Sequence, residues 1–94
     1  MVGFINVIEN MKEIMNLINT WDPIEFFPLA PEDEYINEIR EIEEFLKDNS
    51  SLNAETLAKR INEIFKNSFG DDVYFEDMDA CVVIAHKILE INNK

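Results

Sequence analysis

Four stretches of the chain repeat apolar side chains at three- and four-residue steps, the period of a helix with one buried face. In the first, Phe4, Val7, Ile8, Met11, Ile14, Met15 and Ile18 form a broad stripe that predicts a helix from about Phe4 to Thr20. Ile5 and Leu17 fall partly off the stripe, which places this helix at the centre of a bundle or in a dimer. In the second stretch Tyr35, Ile39, Ile42 and Leu46 make the seam, widened by Ile36 and Phe45. Pro31 should open that helix, with Glu32, Asp33 and Glu34 in its first turn, because proline suits that turn and carboxylates suit the positive end of the helix dipole. Glu38, Glu41 and Glu44 fall mostly on its outer side, as a solvated acidic face.

DNSSLNAE reads as a turn, with Asn53 as the N-cap of a third helix and Ser51 as the alternative. Leu57, Ala58, Ile61, Ile64 and Phe65 form its stripe, and Gly70 after Phe69 ends it in a left-handed conformation. Lys59, Arg60 and Lys66 make this helix net positive, so it should pack beside the acidic second one. A fourth helix is expected from Glu76 or Asp77 to Ile91, with Met78, Cys81, Val82, Ala85, Ile88 and Leu89 inward. Between the last two lies DDVYFEDMD, where a three-residue strand would have no partner; it reads as an extended connector whose aromatics cap the core.

The first connection, TWDPIEFFPLAP, concentrates three aromatics and all three prolines. Asp22, Pro23 and Glu25 have the form of an N-cap, a first-turn proline and the acid of a capping box, with Trp21 and Phe26 placed as a hydrophobic staple. Phe27, ahead of Pro28, is pushed out of the helical region. A short extra helical turn is therefore expected, then an extended crossing to Pro31. In one reading Trp21, Ile24, Phe26 and Leu29 cover the end of the bundle; in the other an aromatic patch beside Glu32, Asp33 and Glu34 meets a partner, with the apolar centre and charged rim of an interface.

The resulting expectation is an all-α fold, one compact four-helix domain over residues 1–94, mainly antiparallel, with a short extra turn between helices one and two. A chain of 94 residues with 47% apolar side chains has room for one core. One cysteine and one histidine cannot supply the ligands of a zinc site, and a lone thiol fits a reducing cytoplasm. The opening residues lack the basic start of a signal peptide, and no apolar run approaches the ~20 residues of a membrane span.

Charge sharpens the picture. The net charge is −12, and residues 22–48 hold ten acids against two bases while residues 71–79 hold five acids and no base. Such a field repels phosphate backbones and anionic lipid and steers a basic protein inward, so no nucleic acid and no membrane surface is expected as a partner.

Candidate chemistry is sparse. Asp71, Asp72, Glu76, Asp77 and Asp79 lack the alternating ligands and the twelfth-position Glu of a calcium loop. Cys81 and His86 are five apart, roughly 140° around a helix, which is wrong for a nucleophile and its base. No serine elbow, phosphate-binding glycine loop or HExxH motif occurs. Neither enzyme activity nor a cofactor or metal is expected.

WDPIEFFPLAPEDEY, followed by an EI-rich helix, NAETLAKRINEIF and a closing helix with IAHKIL, resembles the YugE-like domain-of-unknown-function family of small bacterial, Bacillus-type proteins. The resemblance runs from about Met15 to Leu89, its most specific parts being Trp21–Ile24 and Asp33–Tyr35. It implies a compact helical fold and a bacterial cytoplasmic origin, and it brings no activity or site residues. The expected function is a non-enzymatic protein-interaction module, in its sharper form an immunity- or antitoxin-type inhibitor of a basic protein. Its partner surface would comprise Phe27, Leu29, Glu32, Asp33, Glu34, Glu38 and Glu41. The alternatives are a solitary acidic cytoplasmic regulator of a housekeeping partner, or a weak small-molecule or metal binder. Monomer and homodimer both remain open.

Overall fold

A computed structural model of the chain describes residues 2–31, 33–49 and 52–92, with side chains from Asn10 onward. The expected stripe residues Phe4, Val7 and Ile8, the acid Glu32 and the alternative cap Ser51 lie outside the described side chains. Among the described residues there are four helices and no strand: α1 (Val2–Trp21), α2 (Ile36–Asp48), α3 (Ala54–Phe69) and α4 (Met78–Asn92).

Each helix packs against the next in the chain and α1 closes on α4. At one end the last turn of α1 meets the start of α2 and the end of α3, with Trp21 edge-on to Phe65 at 5.2 Å and Tyr35 edge-on to Phe65 at 5.7 Å. At the other end Asn10, Met11 and Ile14 of α1 face Glu43, Leu46 and Lys47 of α2 and Asn92 of α4. Neighbouring helices therefore run antiparallel, as the short connections require. Among the described residues the tightest pair is α3 with α4.

The seams expected from periodicity form the core. Ile14, Ile18, Tyr35, Ile39, Ile42, Leu57, Ile61, Ile64, Phe65, Cys81, Ala85 and Ile88 are all buried, and each large apolar side chain removed from water contributes about 1.5–3 kcal/mol. Ile84 joins them, while Met78 stays partly exposed. Helix ends follow local chemistry closely. The Asn53 side chain accepts from Thr56 N at 2.8 Å, Gly70 leaves α3 at φ +79 with its N–H on the Lys66 carbonyl, and Asp77 caps α4 by accepting from Ala80 N at 3.1 Å. In the connector Tyr74 fills the core, whereas Val73 and Phe75 are exposed.

α2 and α3 pack together as expected, and among the described residues no ion pair joins them. The Arg60 guanidinium sits 5.8 Å over the Phe45 ring of α2 and pairs with Glu63 of its own helix at 2.7 Å. Lys66 turns away to Glu76, at 3.0 Å, and Asp71.

Two expectations about the first connection fail for one reason. Asp22 is the residue that ends α1, since its N–H still bonds the Ile18 carbonyl at 2.8 Å and its φ is +45, so it cannot take the extended backbone of an N-cap. No capping box forms: Glu25, at φ +63 and exposed, points away from that role, and the segment holds isolated turns, Asp22–Glu25 and Phe26–Ala30, in place of a helical turn. Trp21 and Phe26 close separately on α3, Phe26 against Phe69 at 5.7 Å.

Helix two likewise begins later than Pro31 indicates. Glu34 N bonds the Pro31 carbonyl and Ile36 N the Asp33 carbonyl, two successive turns, and regular helix starts only beyond Tyr35. The preference of proline for a first turn is weak beside the tertiary bond that fixes Tyr35.

Candidate partner-binding surface

Asp22 and Tyr35 organise the corner. The Asp22 carboxylate accepts from Phe26 N at 2.9 Å and Phe27 N at 3.1 Å, and from the Tyr35 hydroxyl at 2.6 Å; the same hydroxyl oxygen accepts from Ile24 N at 3.1 Å. Three backbone N–H groups of an irregular segment thus find partners within one pair of side chains, satisfying groups that would cost stability if left without one. Burial acts to raise the Asp22 pKa, but the hydrogen bonds from Tyr35, Phe26, Phe27 and Glu25 outweigh it and hold the carboxyl below its ordinary value. Burial, and then the bond to Asp22, push the Tyr35 phenol well above its usual range, so it stays a neutral donor. Phe26, Phe27, Phe65 and Phe69 surround its ring at 5.4–6.1 Å.

This anchoring decides which residues are left outside. Phe27 is drawn in against Tyr35, and its peptide bond to Pro28 is cis. Leu29 is 97% exposed, contradicting its expected place over the bundle end. Asp33 and Glu34 are exposed beside it in sequence, as is Glu41 on α2, while Glu32 lies outside the described residues.

Glu38 departs from the expected solvated face: only 6% of it is exposed. Acids at steps of three drift by about 60° per step around a helix, so Glu38, three after Tyr35 and four before Ile42, lies within the seam that Glu41 and Glu44 have left. It cannot meet a partner directly. Its charge instead adds to the forces keeping Tyr35 protonated.

A second polar feature was not visible in the sequence. Glu43 lines a cavity of about 170 Å³ between α1 and α2, over Met11, Ile14 and Leu46. Its Oε1 is buried without a hydrogen-bond partner among the described residues. Burial raises its pKa, with Lys47 opposing. Elsewhere, Cys81 is buried against the Tyr74 hydroxyl at 3.4 Å, and burial raises both groups, which suits packing rather than nucleophilic attack. His86 is exposed, on a side of α4 away from the thiol. Among the described residues no three His, Cys, Asp or Glu side chains converge to hold a metal ion, and no helix is long and apolar enough to cross a membrane.

The arrangement defines an all-α four-helix domain whose most elaborate polar site is a backbone anchor. The family model described as "Domain of unknown function (DUF1871)" matches residues 13–94, and the chain belongs to that family. No curated protein and no solved structure matches the chain. Asp22 and Tyr35 fall within WDPI and DEY, the two most specific elements of the resemblance drawn from the sequence, but no local signal marks their contact, which depends on how α1 and α2 meet.

Proposed function

We propose that this chain is a non-enzymatic protein-interaction module whose acidic corner, from Leu29 through Asp33 and Glu34 to Glu41 of α2, receives a basic protein. The observation that carries this reading is Leu29, 97% exposed within the acid-rich segment 22–48. An apolar side chain held out by a hydrogen-bonded loop supplies a contact that needs little ordering, and the surrounding field brings a basic partner to it. The sharper form is an immunity- or antitoxin-type inhibitor masking a basic surface, in a YugE-like bacterial cytoplasmic protein. Capture experiments with wild-type chain and a Leu29→Ser, Glu34→Gln, Glu41→Gln variant test it. A basic protein should be retained by wild type, released between about 50 and 300 mM salt as screening shortens the reach of the field, and lost by the variant. Equal capture by both chains removes the reading.

The buried Glu43 Oε1 beside its cavity favours a second reading, weak binding of a small hydrogen-bond donor. A thermal-shift screen in which no compound raises the melting temperature excludes it.

A further inference from the structure

Among the described helical residues, the large apolar side chains left exposed are both on α4, Met78 and Val83. Val83 is 52% exposed on α4. Between α4 and α1 runs an open groove of about 290 Å³ lined by Leu17, Thr20 and Trp21 of α1 and by Ala80, Val83, Ile84 and Lys87 of α4. The charge of the chain avoids this face. α1 carries two acids and one base, and α4 two acids, Asp79 and Glu90, and one base, Lys87, so each helix contributes about one negative charge while nearly all of the net −12 belongs to residues 22–48 and 71–79.

We infer that the α1/α4 face is the interface of a homodimer, its occupant a second copy of this chain. A basic partner is drawn to the acidic blocks, not to a groove whose lining holds a lysine and no acid. Two copies at −12 each can approach only where the field is weakest, and this groove lies between the near-neutral segments. Val83 is the exposed apolar member of the groove lining and its neighbour Ala80 is small, so a two-fold pairing can set Val83 of each copy against the groove of the other. The strip spans the 15 residues of α4, about 22 Å, and two helix widths, which offers on the order of 500–700 Å² per copy. Standard interfaces bury about 800 Å² per partner, so a dissociation constant in the micromolar range is expected.

The sign of the salt response separates this interface from the acidic corner. Screening the repulsion between like-charged copies strengthens the dimer, whereas it weakens any basic complex. Sedimentation of the full chain from about 5 to 500 μM, at low and at ~500 mM salt, is the test. The mass should rise with concentration from 11.0 kDa to twice that, and earlier at high salt. Val83→Glu and Ala80→Arg, each checked for unchanged helicity, should weaken association at least ~tenfold. A monomer throughout overturns the inference, and so does a dimer of unchanged strength in the folded variants.

Discussion

The Tyr35 hydroxyl lies 2.6 Å from Asp22 Oδ1, joining the residue that ends α1 to the residue before α2 across thirteen positions of sequence. The bond places the start of α2, draws Phe27 inward and leaves Leu29 outside. It also couples the fold to pH. The Asp22 carboxyl is held below its ordinary value in the folded chain, so its contribution is present above the unfolded value near ~3.9 and is lost as pH falls through the folded value. Thermal melts from pH 2.5 to 7 should show acid destabilisation below about pH 4, and Asp22→Asn should lower stability at pH 7 and flatten that acid limb. An unchanged acid limb in the variant would mean that Asp22 gains nothing from its ionised form.

Glu43 has the opposite sign. Its pKa is raised by burial, so relative to the unfolded chain it favours the fold when protonated and loses that advantage as pH rises through the folded value. Glu43→Gln should therefore raise the melting temperature at pH 7 by about 1–3 °C, with the gain vanishing towards pH 4. A loss of stability at pH 7 would place the carboxylate in a favourable ionised contact.

Backbone conformation gives a pair of substitutions with opposite outcomes. Gly70, at φ +79 and ψ 164, occupies a region almost closed to other residues, and a Cβ there meets nothing within 4 Å, so Gly70→Ala isolates the backbone cost, about 1–3 kcal/mol in denaturant titration. Glu25 sits at φ +63 with an exposed side chain, and Glu25→Gly should stabilise by about 0.5–1 kcal/mol. A destabilised Glu25→Gly would show that its side chain contributes more than its conformation costs.

The helices were legible because their signals are local. Ile39, Ile42 and Leu46 show their common face by spacing alone, and Asn53 and Gly70 act on backbone groups within four residues. The corner was legible in part: the sequence marks Asp22 as a residue that bonds backbone amides, and it does bond them. Which amides could not be read, because the left-handed exit at Asp22 and the reach to Tyr35 depend on how α1 and α2 meet. Glu38 was misplaced for a smaller reason, a three-residue step taken as a constant face although it drifts around the helix. Leu29 could be read as covering the core or as meeting a partner, since an apolar residue between prolines carries no direction of its own.

Of the measurements open, a double-mutant cycle on Asp22 and Tyr35 addresses the corner most directly. Tyr35→Phe keeps the ring among Phe26, Phe65 and Phe69 but deprives Ile24 N of an acceptor and Asp22 of a donor, at an expected cost of about 1.5–3 kcal/mol. Combined with Asp22→Ala in denaturant unfolding, the pair should show a coupling of about 1–2 kcal/mol. Additive losses, with coupling under ~0.3 kcal/mol, would contradict an anchor made by these two residues.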